Sequence, residues 1–213
     1  MLNAAPGHPI KILCLGAHSD DIEIGCGGTL LRLIKEYDNL DIHWIVFCSN
    51  EIRAQEAASS ANSYLENVKH KQIIINKYRD GFLPYLGSEV KDYFEHMIKK
   101  ISPDIIFTHQ RNDLHQDHRL VSDLTWNTFR DHLILEYEIP KFDGDLGVPN
   151  FFVKLEDETV RLKIEGLLKH FNSQRTKHWF TDDLLTSIMR IRGMESGADV
   201  RFAEGFYTRK LLY

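Results

Sequence analysis

The sequence of 213 residues has few cysteines and no long apolar run, and both absences limit the kinds of protein it can encode. Cys14, Cys26 and Cys48 form no CxxC pair, which argues against a disulfide framework or a thiolate zinc site and favours three buried cysteines. No stretch approaches the roughly 18 apolar residues of a membrane helix, and the N-terminus lacks the charged and apolar regions of a signal peptide. These absences predict a cytoplasmic protein with no membrane span.

The sequence also lacks a strong excess of positive charge. Its formal net charge is -5 and its pI is about 6.1, which argues against a protein that binds nucleic acid or anionic membranes. With 43% hydrophobic residues, the chain can bury a substantial core. We find no internal repeat, low-complexity tract or linker, and we therefore expect one domain spanning residues 1–213.

Strand and helix patterns alternate through most of the chain. The predicted strands are residues 11–17, 41–49, 72–76, 104–109 and 133–139, and the helices between them are 28–37, 50–66, 90–101 and 120–129. This repeated βαβ order predicts an α/β, Rossmann-like fold with a mostly parallel sheet and helices on both faces. The C-terminal part is less regular, with a loop at 141–150, a strand at 151–155, helices at 157–171 and 181–192, and an extended segment at 201–207.

The first chemically informative cluster follows the first predicted strand and contains His18, Asp20 and Asp21. Open α/β sheets bind ligands at the carboxyl ends of their strands, so this is a natural position for a metal ligand or a general base. Two carboxylates there would repel a dinucleotide pyrophosphate, which argues against a nucleotide fingerprint. The glycines at 25–28 are better explained by close helix packing.

A second cluster, HQDH, follows the fourth strand and contains His115, Asp117 and His118. In a doubly wound sheet of order 3-2-1-4-5, the first and fourth strands are neighbours, so the two clusters should converge. Two histidines and a carboxylate form a ligand set that catalytic zinc uses, with one position left for water. The sequence thus predicts a metal site between these two strand ends.

The motifs AHSDD and HQDH resemble those of the PIG-L (LmbE-like) family of metal-dependent N-deacetylases, whose pattern is AHPDD with HxDH. Looser similarities are an RxxE pattern at Arg53, a DG pair at Asp80 and an AEGF segment at 203–206. Ser19 occupies the position of the family's proline, which removes rigidity but no ligand. The resemblance implies a Rossmann-like fold and removal of acetyl groups from N-acetylglucosaminyl compounds.

The same resemblance implies a role for each residue of the two motifs. His18, Asp21 and His118 match the metal ligands, and Asp20 matches the general base. His115 matches the residue that stabilises the oxyanion, and Asp117 is expected to support a neighbouring histidine. The implied cofactor is one divalent metal, zinc first, with iron, cobalt, manganese and nickel as alternatives.

Residues outside the two motifs give weaker signals. Arg53 and Asp80 follow the second and third strands and are candidates for substrate binding, although a structural ion pair explains Arg53 equally well. We expect Glu56 to pair with Arg53 within one helix, and His109 to be a structural histidine. Among the tryptophans, Trp179 is the best candidate for contact with a sugar, and residues 171–177 are a candidate substrate-facing loop.

Two other functions remain compatible with the sequence. A phosphoesterase could use a His/Asp site with two metals, but it would need further acidic ligands. A non-catalytic metal- or sugar-binding module would retain the pocket, yet it would need neither a base nor an oxyanion stabiliser. The resemblance to the deacetylases implies a small amino-sugar substrate as the partner. The sequence does not determine whether the protein forms a homo-oligomer.

Overall fold

The five strands predicted for the first two thirds of the chain form a parallel sheet in the computed structural model, which describes residues 8–211. The strands are β1 (Ile10–Gly16), β2 (Leu40–Cys48), β3 (His70–Tyr78), β4 (Ile105–His109) and β5 (Leu133–Tyr137). Their order, β3-β2-β1-β4-β5, is the predicted one. Residues 1–7, part of the N-terminus for which we expect no signal peptide, lie outside the described residues.

The less regular C-terminal part completes the sheet. Strands β6 (Phe151–Leu155) and β7 (Phe202–Tyr207) match the two extended segments predicted there. Strand β7 pairs antiparallel with both β5 and β6, so the full order is β3-β2-β1-β4-β5-β7-β6. The mostly parallel α/β sheet is therefore confirmed.

Between residues 8 and 211, six α-helices connect or flank the strands. They are α1 (Asp21–Glu36), α2 (Glu51–Tyr64), α3 (Gly87–His96), α4 (Gln116–Thr128), α5 (Asp157–His170) and α6 (Asp182–Ser196). The Asn50 side chain accepts a hydrogen bond from the Arg53 amide and caps α2. Within residues 8–211, no helix combines the length and apolar character needed to cross a bilayer.

Alternate residues of β1 belong to two separate hydrophobic cores. Ile12 and Cys14 lie in one core with residues of α1, α2, α5 and α6, whereas Leu13 and Leu15 lie in the other with residues of α3 and α4. Successive side chains of a strand point to opposite faces, so helices cover both faces of the sheet. All three cysteines are buried, as predicted.

Helices α1 and α4 begin earlier than the sequence suggested. Helix α1 starts at Asp21 rather than at residue 28. Its glycines are poor helix formers, so the sequence placed them before the helix, but inside the helix they allow close packing against neighbouring side chains. A Cβ atom on Gly25 would collide with the Tyr137 ring, and one on Gly28 would come within 2.6 Å of Leu155. Helix α4 starts at Gln116, so the HQDH motif enters a helix instead of ending in a loop.

Candidate active site

Three of the residues at the ends of β1 and β4 meet in space. The His18 Nδ1 atom lies 3.0 Å from His118 Nε2 and 3.4 Å from Asp21 Oδ2, and the last two atoms are 3.5 Å apart. Strands β1 and β4 pair directly, which brings His18 and Asp21 to the first turn of α4. The structure thus brings His18 and Asp21 together with His118, which is 100 residues from His18 in sequence.

This triangle has the dimensions of a tetrahedral metal site. Metal–ligand bonds of about 2.0–2.1 Å place neighbouring ligand atoms about 3.3 Å apart in a tetrahedron. The three edges of 3.0, 3.4 and 3.5 Å are close to that value. His18, Asp21 and His118 are 7, 3 and 2% exposed, and two imidazoles with one carboxylate suit zinc and other divalent ions. These residues therefore fit one divalent ion.

The electrostatics of the triangle favour a cation. Burial alone would lower the pKa of His18, but the charge of Asp21 and hydrogen bonds to Asp117 and Asp80 raise it well above its ordinary value. Burial, together with the charge of His109, lowers the pKa of His118 to about 3, so its imidazole stays neutral. A neutral imidazole keeps the lone pair that a metal requires.

One carboxylate that the sequence did not reveal, Asp113, holds His118 in place. Its Nδ1 atom lies 2.9 Å from Asp113 Oδ2, which also accepts a hydrogen bond from Lys141 Nζ at 2.9 Å. Asp145 forms an ion pair with the same lysine at 2.5 Å. A carboxylate behind a ligand histidine is a common feature of metal sites. The sequence signal that could have identified Asp113 is its position two residues before the HQDH motif.

Asp20 lies beside the triangle and contacts a residue of α2. Its Oδ1 atom accepts a hydrogen bond from Arg53 Nη2 at 2.6 Å. Burial raises the pKa of Asp20, whereas the Arg53 guanidinium lowers it. The two adjacent carboxylates, Asp20 and Asp21, therefore have different surroundings and different partners.

Asp80 lies beside both His18 and Arg53. Its Oδ1 atom is 3.1 Å from His18 Nε2, and its Oδ2 atom is 3.7 Å from Arg53 Nη1. The hydrogen bond with His18 lowers the pKa of Asp80 to about 2. Arg53 and Asp80 both line the cleft, as a role in substrate binding requires. Arg53 also forms ion pairs with Asp20 and Asp80, which is the structural role that the sequence left open.

His115 and Asp117 also lie beside His18. The His115 ring centroid is 4.8 Å from that of His18, and its Nδ1 atom accepts a hydrogen bond from the Asp117 amide at 3.2 Å. Asp117 Oδ2 lies 3.3 Å from His18 Nε2. The Asp117 carboxylate also accepts hydrogen bonds from the amides of Gly81 and Leu83, at 2.7 and 3.1 Å, which fix its position.

His109 and Glu56, the other two residues for which we expected structural roles, have different outcomes. His109 Nε2 accepts a hydrogen bond from the Ala17 amide at 2.9 Å, and its ring stacks on His118, which fits the structural role we expected. The expectation for Glu56 was wrong. Its carboxylate accepts hydrogen bonds from the amide and hydroxyl of Ser173, at 2.8 and 2.6 Å, because α2 packs against the chain that follows α5.

All eight site residues predicted from the sequence gather at one edge of the sheet, and seven of them line an open cleft there. Asp117 supports the cleft from behind. The lining residues are His18, Asp20, Asp21, Ile24, Arg53, Asp80, His115, His118, Ile139, Pro140, Lys141, Lys177 and Trp179. The cleft therefore combines acidic and imidazole groups on its floor with a partly apolar wall.

The amino-acid sequence is similar to a known protein family and to a bacterial protein. Residues 13–129 match the family model PIG-L, described as GlcNAc-PI de-N-acetylase. The chain is 29% identical over 171 residues to the "Uncharacterized deacetylase YaiS" of Escherichia coli (strain K12), covering 75% of this chain and 89% of that protein.

Two solved structures resemble the chain over almost all of its length. The N,N'-diacetylchitobiose deacetylase from Pyrococcus horikoshii has a TM-score of 0.72 and 24% identity, and covers 94% of this chain and 84% of its own. The 4-carboxy-2-hydroxymuconate hydratase GalB from Pseudomonas putida KT2440 also has a TM-score of 0.72, with 13% identity and coverage of 95 and 97%. At these identities the structural similarity establishes the fold alone.

Proposed function

Because the chain belongs to the PIG-L family, we propose that it removes the acetyl group from an N-acetylated amino sugar or sugar conjugate with the help of one divalent metal. The observation that carries this proposal is the triangle of His18, Asp21 and His118 with Asp20 beside it but outside it. The deacetylase names of the E. coli relative and the P. horikoshii structure support the same reaction.

His18, Asp21 and His118 would hold the metal. When bound, a divalent ion such as zinc polarises the amide carbonyl and makes water more acidic. The nearby carboxylate of Asp113 would fix the orientation of the His118 ring through its Nδ1 atom. Ligation by histidine and carboxylate favours zinc and also admits iron, cobalt, manganese or nickel.

Asp20 would act as the general base. Its carboxylate accepts a proton from the water whose oxygen attacks the acetyl carbon, and the proton then passes to the departing amine nitrogen as the C–N bond breaks. The products are acetate and the free amino sugar. Arg53 holds one oxygen of Asp20, and its charge opposes the rise in the pKa of Asp20 that burial causes.

His115 would stabilise the oxyanion that develops on the acetyl oxygen. Its Nδ1 atom accepts a hydrogen bond from the Asp117 amide, so the proton of the neutral ring resides on Nε2. Burial and the charge of His18 lower the pKa of His115. The Nε2–H donor is present in both the neutral and the protonated ring, so the role does not depend on full protonation.

A phosphoesterase with two metals is less well supported. A second set of potential ligands does lie close together: His18, Asp80, His115 and Asp117. However, both oxygens of Asp117 accept backbone hydrogen bonds, and Asp80 faces the Arg53 guanidinium. These contacts compete with a second cation and favour one metal per chain.

The proposal is tested by metal analysis and by acetate release from N-acetylglucosamine conjugates. We expect about one divalent ion per chain, loss of activity on chelation and recovery when metal is returned. His118→Ala should lose both metal and activity, whereas the matched control His132→Ala, outside the cleft, should retain both. Full activity after exhaustive metal removal, or two metals with hydrolysis of phosphate esters, would contradict it.

A further inference from the structure

The cleft adjoins a small inner cavity on the side of α1. The cavity has a volume of about 20 Å³ and lies among residues of α1, α5, α6 and β7. That volume is close to the minimum that one water molecule needs. Ile24 and Pro140 line both the cleft and this cavity, so these two residues lie between the two spaces.

Ile24 lies next to the catalytic groups because of its position on α1. Its amide donates a hydrogen bond to the Asp20 carbonyl at 3.0 Å, which places Ile24 one turn after Asp20 and Asp21. Residues three and four apart lie on the same side of a helix, so Ile24 shares the side that carries the proposed base and one proposed metal ligand. Together with Ile139 and Pro140, it gives the cleft an apolar wall beside these carboxylates.

The structure fixes this part of α1 in place. The Ile24 carbonyl accepts a hydrogen bond from Lys163 Nζ at 2.6 Å. The next residue, Gly25, packs so closely on the Tyr137 ring that a Cβ atom there would collide with it. Ile24 itself is 6% exposed and belongs to the hydrophobic core that α1 shares with α5 and α6. The helix therefore has little room to move aside for a larger bound group.

We propose that Ile24 limits the length of the acyl group that this chain removes. The acyl carbon has to lie within reach of Asp20 and of the triangle, so the methyl group attached to it lies near Ile24, the apolar residue on the same side of α1. A longer acyl chain would collide with the Ile24 side chain. Truncation of that side chain would join the cleft to the inner cavity, where Leu185 and Met189 offer apolar contacts.

This inference rests on the proposed deacetylase function and assigns a specificity-determining residue to it. The reaction keeps its balance with a longer chain: the water oxygen joins the acyl carbon, the C–N bond breaks and the amine takes up a proton. The test compares N-acetylglucosamine with N-butyrylglucosamine, whose acyl chain is longer by two methylene groups. Both release glucosamine, with acetate or butyrate as the second product, so one assay for the free amine follows both reactions.

The wild-type protein should prefer the acetyl compound. Ile24→Ala should lower kcat/KM for the acetyl compound and raise it for the butyryl compound, so that their ratio shifts by about tenfold or more. Ile24→Val should shift the ratio in the same direction by a smaller factor, and it decides the matter if Ile24→Ala does not fold. The matched control is Ile34→Ala, the same change at a partly buried position near the other end of α1, which should leave the ratio unchanged.

Two results would overturn the inference while leaving the deacetylase function intact. One is a wild-type protein that hydrolyses both compounds equally well. The other is an unchanged ratio in variants of Ile24 that retain their fold and metal content, measured by urea unfolding and metal analysis.

Calorimetric binding of the two compounds separates this inference from the proposed function. If the metal-loaded proteins hydrolyse neither compound, but Ile24→Ala gains affinity for the butyryl compound relative to the acetyl compound, the deacetylase proposal fails and the limit on acyl length stands. If neither compound is hydrolysed and the ratio of affinities is also unchanged, both proposals fail.

Discussion

Lys163 and Glu204 form a buried ion pair within the hydrogen-bond pattern of α1, with Lys163 Nζ 2.6 Å from Glu204 Oε1. The lysine also donates to the Ile24 carbonyl at 2.6 Å, and the glutamate accepts from the amides of Gly28 and Thr29 at 2.8 and 2.7 Å. In a regular helix the Ile24 carbonyl pairs with the Gly28 amide. The ion pair therefore provides hydrogen-bond partners for both the Ile24 carbonyl and the Gly28 amide of α1.

Removing one partner of this pair should destabilise the protein strongly. Lys163→Met leaves the Glu204 carboxylate buried without its countercharge, so we expect the free energy of unfolding to fall by about 3–5 kcal/mol. The measurement is unfolding in urea. Lys154→Met, at an exposed position of β6, is the control and should change little. Equal stability of the two variants would show that backbone amides alone satisfy Glu204.

Asp20 and Asp21 should respond differently to substitution. Asp20→Asn removes the base but leaves the triangle intact, so we expect normal metal content and a turnover reduced by roughly 10²-fold or more. Asp21→Ala removes a ligand, so we expect weaker metal binding and partial rescue by excess metal. Metal content and acetate release are measured for both, with the exposed Asp131→Asn as control.

The opposite pattern would reverse the two assignments. Loss of metal from Asp20→Asn with normal metal content in Asp21→Ala would make Asp20 the ligand. A fully active Asp20→Asn would remove general-base catalysis from the mechanism altogether.

The three proposed metal ligands could be predicted because each lies a few residues after the end of a strand. His18, Asp21 and His118 lie within nine residues of the ends of β1 or β4, and parallel strands end at the same edge of a sheet. Once β1 and β4 are neighbours, these side chains must converge. The regular alternation of strand and helix predicts parallel strands, and the observed order of the first five is that of a doubly wound sheet.

The supporting contacts could not be predicted because they join distant parts of the chain. Lys163 and Glu204 reach α1 from the C-terminal third, and the Glu56 carboxylate binds an amide 117 residues away. Neither pairing leaves a periodic signal. The glycines at 25–28 reduce helix propensity locally, yet packing against Tyr137 and Leu155 requires them inside α1.

Asp113 should affect metal affinity although it is not one of the three proposed ligands. Its carboxylate fixes the His118 ring through Nδ1, so Asp113→Ala should weaken metal binding about 10- to 100-fold. Lys141→Met should have a smaller effect in the same direction. The control is Asp123→Ala, an exposed carboxylate of α4 that pairs with Arg111. The readout is metal affinity by competition with a chelator, and an unchanged affinity would assign Asp113 to folding alone.

Arg53 should determine where activity is lost at low pH. Burial raises the pKa of Asp20, and the Arg53 guanidinium, 2.6 Å away, opposes that rise. The base works only when ionised, so activity falls as pH drops through its pKa. Arg53→Gln removes the opposing charge and should move the acid limb of the kcat profile to higher pH by about one unit or more. Arg32→Gln, on the exposed side of α1, should leave the limb in place. A higher KM with an unchanged acid limb would instead assign Arg53 to substrate binding alone.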